Sequence, residues 1–289
     1  MKLIKNYKNI DDTICFDLWN GPVVSIFGWV HGNEHSGVKA IEKFTKQLEN
    51  WEIKLKKWKI IFVKKANQKA LEINKREVEK NMNRLFLKWI KWDDYETQRA
   101  QQLMKILDEA NYHLDLHSTS WKSVPFLFAE KNTLEFIKTL WIYPVVFGWW
   151  ELGNDVLSWD SENYVNHNNW IGLTFEAWNH DDETAEKNAY QAILNFLVNL
   201  DIIDKKYFKM IWDEKKIVKL ENVYVAKNDN FQYTIEVKNF QKIKKWTLFA
   251  KDGNIDVIAE KDFIITMPKS PSVIKKWIEA FLFGKELDF

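Results

Sequence analysis

From about residue 22 to residue 200 the chain alternates short apolar runs with longer segments of helical period. Residues 22–27 (PVVSIF), 59–64 (KIIFVK), 112–117 (YHLDLH), a run near 143–147 and residues 171–175 (IGLTF) are short, apolar and rich in β-branched or aromatic side chains. They read as buried strands. Between them, Val38, Ile41, Phe44 and Leu48 recur three and four residues apart and mark a helix over 34–49. Further helices are expected at 95–110, 133–141 and 183–200. Residues 11–20 are expected as an edge strand, 67–84 as a polar stretch and 148–170 as a Gly/Asn/Ser-rich loop. Strand–helix alternation of this kind implies an α/β fold with a mostly parallel sheet flanked by helices.

After about residue 207 the pattern changes. Segments 216–226, 231–238, 246–250, 255–258 and 262–267 look like short strands joined by turns, with a helix expected only at 272–283. These shifts predict a first domain over 1–205 and a small β-rich C-terminal domain over 206–289. The 289 residues suffice for a substantial core.

Charge narrows the function classes. The chain has 42 Lys+Arg against 41 Asp+Glu, a net charge of +1, and so no electrostatic footprint for nucleic acid or an anionic membrane. No apolar run reaches the ~18 residues that span a bilayer, and the first residues lack the apolar core of a secretory signal. A single cysteine, Cys15, excludes an internal disulfide and fits a reducing compartment. A cytoplasmic protein without nucleic-acid or membrane partners is expected.

Candidate chemistry gathers at the ends of the expected strands. In His31-Gly-Asn-Glu34 an imidazole and a carboxylate sit where a strand gives way to a helix, the edge at which open α/β sheets hold ligands. His117 ends a second strand. Two histidines and a glutamate, with the fourth position left to water, make a catalytic zinc set. Asp115, two residues before His117, could orient that histidine or cap the following segment. Glu176 ends a third strand, where a carboxylate could act as general base and then as acid. Arginine occurs only at 76, 84 and 99, the other 39 of the 42 basic residues being lysine. Arg76 and Arg84 therefore suggest work for a planar, bidentate fork, such as gripping a carboxylate, with a structural ion pair as the alternative.

Taken together, His31–Glu34, the stretch 67–86 (NQKALEINKREVEKNMNRLF), Asp115-Leu-His117 and Phe175-Glu-Ala177 resemble the succinylglutamate desuccinylase/aspartoacylase family, zinc-dependent relatives of the metallocarboxypeptidases. The motifs fall in the family's order and cover roughly residues 20–200. The resemblance implies that His31, Glu34 and His117 hold one Zn²⁺ per chain and that Glu176 activates water. It assigns Arg76 to the oxyanion, and Asn83 with Arg84 to the substrate's carboxylate. The implied activity is hydrolysis of the amide bond of a small N-acyl amino acid. A carboxypeptidase-like peptidase and a non-catalytic, tryptophan-dependent binding protein are the alternatives. One departure is Asn81, where close relatives of aspartoacylase carry Asp.

The tryptophans are unusual. There are 16, against only 9 glycines, where ordinary usage of ~7% would give about 20 glycines. Trp29 and Trp178 stand beside the metal motifs. Trp51, Trp58, Trp149, Trp150, Trp159, Trp170 and Trp246 sit among turn formers. Added together, glycine and tryptophan amount to normal glycine usage. The expectation is that many or all of these positions are UGA codons, which some bacterial lineages read as glycine.

Overall fold

A computed structural model describes all residues except 19–20, 122, 153–158, 212–214 and 288–289. In chain order the elements are β1 (Lys2–Lys5), β2 (Thr13–Asp17), β3 (Val23–Gly28), α1 (Ser36–Glu49), β4 (Lys59–Val63), α2 (Gln68–Glu72), α3 (Tyr95–Leu107), β5 (Tyr112–Thr119), β6 (Phe126–Ala129), α4 (Leu134–Ile137), β7 (Val145–Phe147), α5 (Ser161–His167), β8 (Ile171–Asn179) and α6 (Glu183–Asn199). Then follow β9 (Ile217–Val225), β10 (Phe231–Tyr233), β11 (Lys242–Ile243), β12 (Leu248–Asp252), β13 (Ile255–Ile258), β14 (Phe263–Thr266) and β15 (Glu279–Leu287).

Among the described residues twelve strands form one sheet in the order β1-β2-β4-β3-β5-β8-β6-β7-β9-β15-β14-β11. Its centre, β4-β3-β5-β8, is parallel, as the strand–helix alternation predicts. The whole is mixed: β2 runs antiparallel to β4, β6 antiparallel to β8, and β15 antiparallel to both β9 and β14. The central strands are buried on both faces. On one side Phe44 and Leu48 of α1 pack with Ile193 and Phe196 of α6. On the other, Leu103 and Ile106 of α3 pack with Tyr164 and Val165 of α5. From β3 the chain passes by way of α1 to β4 on one side, and later by way of α3 to β5 on the other. The carboxyl ends of β3 and β5 thus flank a topological switch point, the crevice where open α/β sheets bind ligands.

Carboxylate caps set the starts of α3, α5 and α6. Asp94 Oδ1 accepts from Thr97 N at 2.9 Å, Asp160 Oδ1 from Asn163 N at 2.7 Å and Asp182 Oδ1 from Thr184 N at 2.7 Å.

Four expectations need correction. The strand expected at the edge over 11–20 is β2, which is paired on both sides, with β1 and β4, so that β1 forms the edge. The segment 272–283 is not a helix: a single 3-10 turn at Pro271–Val273 leads to β15, whose Ala280, Phe281 and Leu282 are buried between β9 and β14. Trp277, at φ 69°, interrupts any helix there, and the consecutive buried residues 280–282 suit a strand covered on both faces. The helix expected over 133–141 is only the four residues of α4, preceded by a 3-10 turn and followed by Trp141 at φ 53°. The loop expected over 148–170 contains α5; its residues 153–158, like 19–20 of the expected edge strand, lie outside the described residues.

The C-terminal part is β-rich. β9 joins the main sheet beside β7, while β10, β12 and β13 form a second, three-stranded sheet. Phe231, Phe249, Phe263 and Phe281 build a separate apolar cluster there. We propose the division into 1–205 and 206–289 on the strength of that separate cluster.

Among the described residues seven tryptophans adopt left-handed backbone: Trp29 (φ 68°), Trp51 (62°), Trp58 (71°), Trp141 (53°), Trp178 (137°), Trp246 (70°) and Trp277 (69°). Only three of the described glycines do. A Cβ clashes with the following carbonyl in this region, so it is ordinarily glycine territory. Trp246 and Trp277 are also 74% exposed, so their indoles bury little apolar surface to offset the strain.

Candidate metal centre

β3 delivers the chain to a tight turn in which Glu34 N donates to His31 O at 3.1 Å. The turn folds both side chains back under the sheet edge. β5 brings His117 alongside. His31 Nδ1 lies 2.8 Å from Glu34 Oε1, His117 Nδ1 lies 3.0 Å from Glu34 Oε2, and the two Nδ1 atoms are 3.2 Å apart. All three residues are buried, and one ligand atom from each falls within 4.8 Å of the others. Two imidazole nitrogens and a carboxylate oxygen are the donor types that zinc prefers. The chemistry of the set therefore fits a metal ion.

Each imidazole is held from behind. His31 Nε2 meets Asn81 Oδ1 at 3.1 Å, and His117 Nε2 faces Asp115 Oδ2 at 3.2 Å. These contacts favour the proton on Nε2 and leave Nδ1 for a ligand bond. Asp115 takes a hydrogen bond from the Ser161 hydroxyl, and Ser161 contacts His113, whose other nitrogen meets Ser25. Of the two roles open for Asp115, the structure shows contact with His117. Asn81 stands out in the sequence only as a departure from the aspartoacylase pattern, yet its amide both touches His31 and accepts from Asn83 N at 3.0 Å. Ser161 was missed; its signal was the Asp160 cap that starts α5.

Electrostatics follow from burial. Desolvation, then the Arg76 guanidinium, push the His31 imidazole down to about 4. Burial also opposes charge on His117, but the Asp115 and Glu34 carboxylates hold it well above the usual imidazole range. Burial works against ionisation of Glu34 as well, and the two histidines more than reverse it.

The remaining predicted site residues converge on the same cavity, which encloses about 80 Å³ and is lined by His31, Arg76, Asn83, Arg84, His117 and Glu176 among others. Glu176 on β8 stands beside His117 in register. Its Oε2 is buried without a hydrogen-bond partner, and burial pushes the carboxyl up to about 7. Arg76 Nη1 reaches Glu34 Oε1 at 3.2 Å, and the Arg84 side chain bends back to donate to Asn83 O at 2.6 Å. Of the stretch 163–169, Asn163 lines the cavity, from a helix rather than a loop. His180 does not line it, and neither do Trp29 or Trp178. Trp29 donates from Nε1 to Gly32 O at 2.8 Å and packs edge-on against His35, while Trp149 does line the cavity.

Solved structures of similar fold cover nearly the whole chain. A succinylglutamate desuccinylase/aspartoacylase from Rhodobacter sphaeroides aligns over 96% of this chain and 89% of its own, with a TM-score of 0.77 and 15% identity. The ectoine utilization protein EutE (DoeB) from Ruegeria pomeroyi, in a product-bound structure, aligns over 94% and 88%, with a TM-score of 0.75 and 18% identity. A succinylglutamate desuccinylase from Vibrio parahaemolyticus aligns over 96% and 86%, with a TM-score of 0.70 and 20% identity. At these identities the likeness concerns the fold. No curated protein matches the sequence directly. Residues 20–141, which carry His31, Glu34, Arg76, Asn83, Arg84 and His117, match the sequence profile of the succinylglutamate desuccinylase/aspartoacylase catalytic domain. Over residues 20–141 the chain is thus similar in sequence to the succinylglutamate desuccinylase/aspartoacylase family, and its fold as a whole is that of solved proteins bearing those names.

Proposed function

We propose that the protein is a zinc-dependent hydrolase that removes the acyl group from a small N-acyl amino acid. The observation that carries this reading is the coincidence of the buried His31–Glu34–His117 cluster with a cavity lined by His31, His117, Glu176, Arg76 and Arg84. His31, Glu34 and His117 would hold a single zinc ion, which when bound supplies Lewis acidity toward the amide carbonyl and acidifies water.

The protein's own side chains divide the remaining work. Glu176, with its carboxyl lifted to about 7, is matched to taking a proton from water and returning it to the departing amine near neutral pH. Arg76 presents a guanidinium at the cavity edge for the negative charge that develops on the carbonyl oxygen. Arg84 and Asn83 grip the carboxylate of the amino acid, which fixes the scissile bond relative to Glu176. A cavity of this size suits a small amide better than an extended peptide.

No helix among the described residues is long and apolar enough to cross a membrane. Cys15 is a free, fully buried thiol whose pKa burial pushes up to about 12. An unreactive thiol of this kind is compatible with the reducing cytoplasm proposed for the protein.

The test combines metal analysis of the purified protein with hydrolysis of a panel of N-acetyl and N-succinyl amino acids. About one zinc per chain and amine release from at least one substrate are expected. A protein that binds no divalent metal, or that hydrolyses none of the panel with zinc supplied, overturns the proposal.

A further inference from the structure

Between β4 and α3 the chain makes a long excursion, residues 64–94, whose regular structure is confined to α2 and a 3-10 turn at Met82–Arg84. This excursion carries Arg76, Asn81, Asn83 and Arg84. Backbone groups in a stretch with so little regular structure need partners from elsewhere, and α3 supplies several. Arg99, the arginine to which the sequence gives no role, donates to the carbonyls of Ala66 at 2.9 Å, Lys65 at 3.2 Å and Asp11 at 3.0 Å. Gln101 donates to Leu87 O and Ile90 O, each at 2.9 Å. The middle of the excursion is met by Glu96, a fully buried carboxylate.

Glu96 Oε1 accepts from Val78 N at 2.6 Å, and Oε2 from Glu79 N at 3.3 Å. Oε1 also accepts from Asn67 Nδ2 at 3.4 Å, and Asn67 N donates to Trp29 O at 2.9 Å, two residues before His31. One carboxylate thus ties the arginine-bearing stretch to the turn that holds the first metal motif.

Arg76 depends on this clamp more than Arg84 does. Its backbone is held where Gly32 N donates to Arg76 O at 3.2 Å, and again two residues later by Glu96. Its side chain is half exposed and reaches Glu34 Oε1 at 3.2 Å. With so little packing around the guanidinium, backbone placement decides where it stands. Arg84 is different: Met82, Asn83, Leu85 and Phe86 around it are buried, and Phe86 N donates to Trp159 O at 3.2 Å. Packing anchors that end independently of Glu96.

We infer that Glu96 is a positioning residue: by holding the N–H groups of Val78 and Glu79 it sets Arg76 at the cavity edge, where the guanidinium meets the charge developing on the carbonyl oxygen. The inference rests on the deacylase reading and adds to it a residue that never touches the substrate.

The experiment compares the zinc-loaded parent, Glu96→Gln, Arg76→Ala and the double variant on the N-acyl amino acid that the parent hydrolyses best. A glutamine amide turns its own N–H toward one of the two backbone N–H groups, so one bond of the clamp is lost. In Glu96→Gln kcat should fall about ten-fold, since misplacement by about 1 Å can cost up to about 10². KM should stay within about three-fold, because Asn83 and Arg84 keep their anchors. In the Arg76→Ala background the same change should cost less than about two-fold. Equal losses in both backgrounds, or a loss that falls mainly on KM, would make Glu96 a general stabiliser and overturn the inference. Should Glu96→Gln fail to fold, Glu96→Asp gives the same comparison: it keeps both acceptor oxygens on a stem one methylene shorter, so the stretch must shift to reach them. Amide exchange adds a readout that needs no substrate. Peptides covering 77–81 should exchange at least about ten-fold faster in Glu96→Gln, with those from β3 and β5 unchanged. Unaltered exchange over 77–81 would overturn the inference. A parent that hydrolyses no N-acyl amino acid would overturn the deacylase reading, while the exchange result still decides whether Glu96 holds the stretch.

Discussion

His117 and Glu176 occupy the same register position on neighbouring parallel strands β5 and β8, so both side chains leave the same face of the sheet at the same level. On the proposed reading, a metal ligand and an acid–base group are thereby fixed to one sheet edge. The strand pairing predicts that the two functions separate on mutation. Glu176→Gln should keep about one zinc per chain and lose roughly 10²–10⁴-fold in kcat, the usual contribution of a positioned proton carrier. Metal content and steady-state kinetics on the same preparation check this. Loss of zinc in the variant would mean that Glu176 is a ligand.

Asp115 and Asn81 should control metal affinity without touching the ion. Asp115 faces Nε2 of His117 and Asn81 faces Nε2 of His31, so each fixes which imidazole nitrogen is free. Asp115→Asn should weaken zinc binding by about 10–100-fold, the range typical of partners behind metal-bound histidines. Asn81→Ala should have the smaller effect, since a neutral amide does less than a carboxylate to raise imidazole basicity. Competition with a chromophoric chelator measures both. Unaltered affinity in Asp115→Asn would reduce that carboxylate to a structural role.

Much of this site was legible in the sequence because its residues sit at strand ends, and strand ends are where apolar runs stop. His31, His117 and Glu176 each close such a run, and parallel pairing then sets them side by side. Asn81 and Ser161 were not legible, because their roles depend on contacts 50 and 48 residues away, with His31 and His113 respectively. The C-terminal error has a local cause. Residues 279–283 (EAFLF) are apolar enough for either period, and only pairing with β9 and β14 selects a strand. Helix α5 was hidden because Asn163, Asn166 and His167 look like loop composition, and only the Asp160 cap and packing under the sheet make them helical.

Glu130 predicts a pH dependence of stability. Burial, with Asp160 and Glu151 nearby, pushes its carboxyl up to about 7 in the fold, against 4.5 for a free glutamate. Below that free value both native and unfolded chains are protonated and the group is neutral to stability. As pH rises from about 4.5 to 7 the unfolded chain ionises first, so this group costs stability progressively until the native form ionises too. Asp160, raised to about 6, acts in the same direction. Glu130→Gln keeps an acceptor for the Trp150 amide and removes the titration. Its melting temperature relative to the parent should rise between pH 4.5 and pH 7. A difference that stays constant across this range would mean that Glu130 is ionised throughout.

Trp246 and Trp277 predict a gain of stability on removing a side chain, the reverse of the usual outcome for tryptophan. Both hold left-handed backbone, at φ 70° and 69°, and both are 74% exposed. A residue with a Cβ costs about 1–2 kcal/mol in this conformation, and an exposed indole repays little of it. Trp246→Gly and Trp277→Gly should therefore each stabilise the protein by about 1 kcal/mol, read from denaturant midpoints. Trp178, at φ 137°, should respond in the same direction. A half-buried tryptophan outside the left-handed region behaves oppositely: Trp150→Gly would remove its ring contacts with Trp159 and His167 and should destabilise if tryptophan is the resident residue. The gene's codons provide the independent check. UGA at 29, 51, 58, 141, 178, 246 and 277, with glycine masses in the native peptides, is the expected result, and UGG at those positions would overturn it.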